Sequence, residues 1–596
     1  MHSRRASAAR AVAILVAACA LAATARAEQL DVFRRYEEAL VQAALGRTGL
    51  TIDPAPEGKL IERVEIVAND VILPGDYAIP YRVPVVYPLL LHAVWLNKVH
   101  VRTRDDVIRR ELLFRPGERL RRDVLEESGR NLRDFFILSV ARIVVARGSA
   151  PDRVVVVVVT KDNWTLRLNT NFTIDQARLD ALSMSISESN LAGRNKTISL
   201  EYALDPGRHA VGLGYVDPRM GGSRHQLRLL GDVFLSRATG GVEGGFGQLT
   251  VGRPLFSLRT TWGWQLDLTF QEDVARTFQG GDLRRLKFND ELIPDVYARR
   301  LITGNLVYTR SFGVLDKLNL SIGFRVTSAR YTLPDDFPPT LSAAARAAYV
   351  RILPRTEAAS GPFIAASAFR ATYVRLQNIN SFALSEDFRL GPSASLEVRL
   401  ADPIFGFDSR YVAVSAAYGA TYYGRDNLFT FAFSGAARLQ PGVIVGDSWV
   451  NESLTASVRD VTPRFGPLRL HVAAGINVHH DDLSNSRLAI GASNGLRGFA
   501  PRQFVGNNLY GVNVELRSIA LNLWTVHIGG VLFYDGGDAP TSLLTAGWHQ
   551  DAGVGLRILF PQFNKDVLRL DLAFPFELAT GGGYAPRFSV EFGQAF

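Results

Sequence analysis

A serine nucleophile, a metal site and a phosphate cradle each have a candidate in this sequence, and each fails on its surroundings. Gly491-Ala492-Ser493-Asn494-Gly495 fits the G-x-S-x-G pattern, in which a sharp strand-to-helix turn presents a nucleophilic serine. No helical segment follows it here, so the match predicts no hydrolase. His479-His480-Asp481-Asp482 brings imidazole and carboxylate together, donor types that zinc and related ions take. The simpler expectation is a polar loop at a strand end. Gly193-Arg194-Asn195-Lys196-Thr197 lacks the glycine spacing that lets backbone N–H groups cradle a phosphate. Neither H-E-x-x-H nor G-x-x-x-x-G-K-[ST] occurs. The sequence therefore predicts no catalytic residue, no metal and no cofactor.

Cys19 is the only cysteine, and it falls in a leader. Arg4, Arg5 and Arg10 precede an apolar stretch from Ala11 to Ala23, and Ala25-Arg26-Ala27 is a small-residue cleavage site, the pattern of a secretory signal peptide over residues 1–27. Cleavage after Ala27 leaves no thiol, and so no disulfide, thiolate metal site or thiol catalysis. It also removes four arginines and no acids, lowering the formal charge from +9 to about +5. The remaining charges are scattered without a long basic run. They suit aqueous faces and loops, or attraction to phosphates of anionic lipid and lipopolysaccharide, and give no reason to expect nucleic acid.

The elements that position any site lie mostly in the C-terminal part. With 596 residues the chain exceeds one ordinary soluble domain. Hydrophobic residues make up 47%, yet mean hydropathy is only +0.05, and no apolar run after the leader reaches the roughly 20 residues of a membrane helix. From Trp164 onward the chain reads as strands and turns. Over Tyr510–Arg517 one face is Tyr510, Val512, Val514 and Leu516, and the other Gly511, Asn513, Glu515 and Arg517. Over 567–576 Leu568, Leu570, Leu572, Phe574 and Phe576 oppose Arg569, Asp571 and Ala573. The last strand sets Phe588, Val590, Phe592 and the terminal Phe596 on one side. Apolar faces opposite glycines and charges predict lipid on one side and a polar lumen on the other. The expectation is a transmembrane antiparallel β-barrel over residues 162–596, with an even number of strands. The proline-bearing region 333–365 is expected to be a long extracellular loop.

Before the barrel, residues 28–58 predict a short amphipathic helix (Leu30, Phe33, Leu40 and Ala44 on one stripe) and a linker broken by Pro54 and Pro56. Residues 59–161 read as strand, helix, helix, strand, strand. The first helix would be N-capped by Thr103, with Asp105 and Asp106 in its first turn. Val154 to Val159 are six consecutive valines, whose β-branching predicts a strand buried on both faces. This α+β order, with Val107-Ile108-Arg109-Arg110-Glu111-Leu112, Pro116-Gly117 and Asn131-Leu132-Arg133-Asp134-Phe135-Phe136, resembles a POTRA domain. An insertion at about 70–98 departs from that pattern.

Two further clusters resemble the BamA/TamA superfamily of outer-membrane assembly barrels. One is Glu188-Ser189-Asn190-Leu191-Ala192-Gly193-Arg194 followed by Tyr215-Val216-Asp217-Pro218 and Gly221-Gly222. The other is Gly495-Leu496-Arg497-Gly498-Phe499, then Asn513-Val514-Glu515-Leu516-Arg517, Phe533-Tyr534-Asp535-Gly536-Gly537 and Gly553-Val554-Gly555-Leu556-Arg557. The resemblance implies 16 strands and one POTRA-type domain in the periplasm. It also implies that the loop bearing Gly495, Leu496, Arg497, Gly498 and Phe499 folds into the lumen. There Asp535 is the expected partner of Arg497, with Glu515 also available and Phe533 nearby on the same face. The implied function is assembly, insertion or translocation of unfolded outer-membrane or secreted polypeptides, with periplasmic accessory proteins as possible partners and no enzymatic step. The alternative is a substrate-specific channel or a two-partner-secretion-like translocator, for which residues 30–45 would form a plug helix.

Overall fold

The computed structural model describes residues 32–595 apart from 74–96, 99, 176–177, 280–281, 383–384, 445–446, 493, 524–525, 561–566, 577–585 and 593. The leader, Ser493, Phe596 and most of the 70–98 insertion lie outside the described residues.

The N-terminal unit is a three-stranded sheet with helices on both faces. Its elements are α1 (Val32–Thr48), β1 (Leu60–Asn69), α2 (Asp105–Glu111), α3 (Arg122–Arg133), β2 (Leu138–Arg147) and β3 (Arg153–Asp162). The strand order β1-β3-β2 puts the valine run in the middle, parallel to β1 and antiparallel to β2. Side chains alternate across a strand. Val154, Val156 and Val158 therefore pack with Ile108, Leu132 and Ile61 on the α2/α3 face, while Val155, Val157 and Val159 pack with Leu40, Val41, Ala44 and Leu45 of α1. Each buried valine contributes roughly 1.5–3 kcal/mol relative to exposure. After α1 the chain turns along the free edge of β2: Asp53 N–H donates to Val145 O (2.9 Å) and Arg147 N–H to Thr51 O (2.9 Å).

Thr103 does not cap α2. Arg104 holds the N-cap position without a side-chain bond. Thr103 instead donates its N–H to Asp162 Oδ2 (2.7 Å), and its hydroxyl accepts from Asn190 Nδ2 (2.9 Å). The side chain that local propensity assigns to the helix is taken by a tertiary contact.

The rest is a closed antiparallel barrel running from Leu166–Asp175 to Arg587–Phe592. It has 20 strands among the described residues, not the expected 16. Two of them are interrupted: Glu357–Arg370 and Thr372–Gln377 share one partner strand, as do Leu509–Ser518 and Leu521–Leu523. The number 16 is what the resemblance implies. The outward face is apolar at every second position, as at Leu166 and Leu168, Leu213 and Val211, and Leu320, Ile322 and Phe324, with Ile322 61% exposed. No described helix is long and apolar enough to cross a membrane; the outward band belongs to the strands.

Region 333–365 is also corrected. A helix, α4 (Ala343–Arg351), occupies its centre, N-capped by Ser342, whose hydroxyl accepts from Ala345 N–H (3.1 Å). A barrel strand begins at Glu357. Pro334, Pro338, Pro339 and Pro354 flank this helix, where proline does not interrupt helical hydrogen bonds. Tyr349 of α4 is buried against Phe337 and donates to Asp295 (3.1 Å).

Turns at one end of the barrel dock on α2 and α3. Buried Glu111 accepts from Arg219 (2.6 Å) and Arg224 (3.0 Å). Gly193 O accepts from Arg104 N–H (3.0 Å), and Lys196 pairs with Asp217 (2.7 Å) to hold the two motif-bearing turns together. On α3, Glu127 accepts from Leu258 N–H, and burial pushes its carboxyl up from the ordinary range. Arg133 pairs with Asp387 (2.7 Å), and Arg130 lies over the Tyr373 ring. Removing one partner of a buried ion pair typically costs about 3–5 kcal/mol. Glu111→Ala is therefore expected to leave both units folded but detach the turn from α2. Limited proteolysis should then cut near residues 219–224 well before it does in the wild type, and an unchanged pattern would count against this docking.

Candidate functional site

Four consecutive strands build the wall that receives the loop: Leu509–Ser518, Val526–Asp538, His549–Leu559 and Leu568–Pro575. Alternation turns Glu515, Arg517, Asp535, Arg557, Arg569 and Asp571 into the lumen, and all six are buried. The glycines between them make room. A Cβ at Gly553 would collide with the Phe533 ring, and one at Gly555 with the Asp571 carboxylate and Arg557.

The loop enters from a short hairpin, Leu488–Ile490 paired with Phe504–Gly506. Gly495 has φ +119°, a left-handed conformation that glycine adopts without strain, and its carbonyl accepts from Asn513 Nδ2 (2.9 Å). Leu496 is fully buried with Ile490 and Ala539. Phe499 meets Phe504 edge-on, and Phe504 stacks on His549. Gly498 touches the wall so closely that a Cβ would lie 2.6 Å from Asp551 Cβ.

Arg497, between them, meets Asp535 in a fork: Nε to Oδ2 and Nη2 to Oδ1, both 2.7 Å. Its Nη1 also donates to Glu515 and, at 3.3 Å, to Asp571. The guanidinium sits 3.5 Å from the centroid of the Phe533 ring. A planar guanidinium suits this combination of paired carboxylate oxygens and an aromatic face. The sequence reading named Asp535, Glu515 and Phe533 but not Asp571, Arg557 or Arg517 as members of the cluster. Arg557 pairs with Asp571 and reaches Glu515 (3.2 Å), and Arg517 pairs with Glu515 (2.7 Å). The alternation that set Asp571 opposite its leucines was the available signal.

One component has no counterpart in the sequence reading. The turn after Thr372–Gln377 folds into the other end of the lumen. Ile379 is buried against Leu428 and Val461, and its carbonyl accepts from Arg517 Nη1 (3.2 Å). Phe382 packs on Leu559 and Val567, in space that Gly529 leaves open. Glu386 accepts from the N–H groups of Ile379, Asn380 and Ser381 at 3.0–3.2 Å. Two large apolar residues within a polar turn were the clue. Of the chemical candidates, His480 pairs with Glu452 (2.9 Å) and Asp482 accepts from Ser484 and Ser486 N–H. The segment after Gly495 runs through turns to Phe504 with no helix.

Residues 190–596 match the family model described as the Omp85 superfamily domain. The chain belongs to the Omp85 superfamily. Members of this superfamily are outer-membrane barrels that insert or secrete polypeptides, without enzymatic chemistry. No curated protein matches the sequence. Among solved structures, this Omp85 barrel is similar to BamA from Haemophilus ducreyi lacking POTRA domains 1-3 (12% identity, 90% of this chain and 84% of that one, TM-score 0.36). It is similar also to CdiB from Escherichia coli (9% identity, 91% and 80%, TM-score 0.45). It is similar as well to the FrpB iron transporter from Neisseria meningitidis (10% identity, 76% and 87%, TM-score 0.38).

Losing Arg497 would leave Asp535 and Glu515 short of a buried partner. Arg497→Ala is expected to destabilise the barrel by about 3–5 kcal/mol, read as earlier loss of the compact band in a heated gel. Arg497→Lys should recover little, because an ammonium cannot form the fork. Arg497→Ala combined with Asp535→Ala should cost less than the sum of the single changes; strict additivity would mean the two side chains are not coupled. Gly498→Ala is expected to unseat the loop by collision with Asp551, exposing residues 491–503 to protease while the outer wall stays folded. A loop equally protected in that variant would contradict the close seating.

Proposed function

We propose that this Omp85 protein assembles or inserts polypeptides at the outer membrane. In this reading the barrel opens between its first and last strands while the Arg497 loop holds the wall beside them. The observation that carries it is the seam. Among the described residues, Arg587–Phe592 and Leu166–Asp175 pair at one position, Val590 opposite Phe172. On either side the neighbouring pairs share ten and six registered positions. At about 1 kcal/mol net per hydrogen bond, a ten-residue ladder resists separation far more than a single paired position. An opened seam offers unpaired N–H and C=O groups, which lipid cannot satisfy and a client strand can. The driving force is the client's own folding, with no nucleotide or covalent step.

The N-terminal α+β unit serves, in this reading, as a POTRA-type domain in the periplasm. A client adds in extended form along β2, over the part of its edge that the Thr51–Asp53 segment leaves uncovered. Two observations favour assembly over the alternatives. α1 packs on the sheet of its own domain, where a plug helix would enter the lumen. The Arg497 loop and the Ile379–Phe382 turn occupy the lumen, where a solute channel needs an open path.

The chain lacks cysteine after residue 19, so a single pair can lock the seam. With Phe172→Cys and Val590→Cys in liposomes, acceleration of an unfolded barrel client is expected to disappear on oxidation and return on reduction. Equal acceleration in both states would contradict opening at this seam. Steady ion conductance without acceleration would instead indicate a channel.

A further inference from the structure

At the end of the barrel opposite the N-terminal unit, four loops line a cavity of about 440 Å³, with Arg284, Arg351, Arg355 and Arg487 in its lining and Asp482 as the only carboxylate there among the described residues. The walls are fixed to each other. Arg355 N–H donates to Leu483 O (2.9 Å), Asn485 Nδ2 donates to Ile352 O, and Arg487 donates to Asn485 and to Asn507 (2.8 Å).

The charges in it are unbalanced. Asp482 is committed to the N–H groups of Ser484 (2.9 Å) and Ser486 (2.7 Å), and Arg284 to Asp295 (3.4 Å). Among the described residues, Arg351, Arg355 and Arg487 have no carboxylate within ion-pair distance. Two other arginines on this half of the barrel, by contrast, have carboxylates: Arg276 is paired with Glu243 and Arg299 with Asp273. Burial and then the neighbouring Arg284 charge hold the Arg487 guanidinium below its ordinary value, as expected where a cation lacks its counter-charge. A concave site of this size suits a sugar-sized ligand, and planar guanidiniums suit the oxygens of a phosphate.

The geometry points to a binding site for a sugar-sized phosphate ester in this cavity, held by Arg351, Arg355 and Arg487. The phosphate arrives on a lipid headgroup from the surrounding leaflet or on a soluble sugar phosphate. The full-length protein, folded in uncharged detergent, is titrated calorimetrically with glucosamine 1-phosphate, with the diphosphorylated glucosamine disaccharide of a lipid headgroup, and with N-acetylglucosamine as the uncharged control. Saturable binding of a phosphorylated probe is expected, weakened at least tenfold in Arg355→Gln/Arg487→Gln and unchanged in Arg410→Gln, an exposed arginine elsewhere. Thr541→Glu keeps every arginine and places a carboxylate in the lining; it should weaken binding to a similar extent, which separates loss of the site from loss of the loop fold. Preference for the disaccharide assigns a lipid source, and equal binding of the monosaccharide a soluble one. No saturable binding by either phosphate, equal binding of N-acetylglucosamine, or wild-type affinity in both cavity variants overturns the proposal.

Discussion

Guanidinium groups held out of water require acceptors, and one sector of the barrel that meets four of them with carboxylates organises this molecule. Arg497, Arg517, Arg557 and Arg569 are all buried, and they are matched by Glu515, Asp535, Asp571 and Glu591. Such clusters add little net stability over apolar packing, because desolvation offsets the attraction. Their geometry is demanding, however, and a half-satisfied version is costly. The glycines at 498, 553 and 555 are best understood as space for these charges. So is the short apolar cluster of Leu496, Ile490 and Ala539, which seats the loop so that one guanidinium reaches carboxylates on three strands.

The consequence is a barrel of uneven strength. The four strands from 509 to 575 are tied by backbone ladders, by the loop from one end of the lumen and by the Ile379–Phe382 turn from the other. Arg517 belongs to both ties, through Glu515 on one side and the Ile379 carbonyl on the other. Arg569 extends the network to Glu591 of the last strand. Immediately beyond it the ladder falls, among the described residues, to one registered position. A rigid wall next to a weak seam lets the barrel part along one line without losing its shape.

Much of this was legible because side-chain alternation is a strict rule of period two. It placed Glu515, Arg517, Asp535 and Asp571 on one face and the leucines of 568–572 on the other. The six valines declared a strand buried twice over, and β-branching was sufficient reason. The pairing of Arg497 with Asp535 came from resemblance, since no local pattern links residues 38 positions apart. What escaped were features decided by tertiary competition. Thr103 gave its hydroxyl to Asn190, not to its helix. Prolines that read as loop bounded a helix at 343–351. The turn from Asn378 to Phe382, marked only by the apolar Ile379 and Phe382, enters the lumen because Gly529 leaves a place for Phe382. The strand number was set by analogy, and the closure of the sheet decides it otherwise.

The central claim is that a clamped wall lies beside a weakly paired seam. Amide hydrogen exchange of the intact protein in lipid tests it without a client. The account predicts that peptides covering 166–175 and 587–592 exchange orders of magnitude faster than those covering 511–517 and 531–535, and that Arg497→Ala narrows the gap by loosening the wall. Equal, slow exchange across the seam and the wall would contradict it.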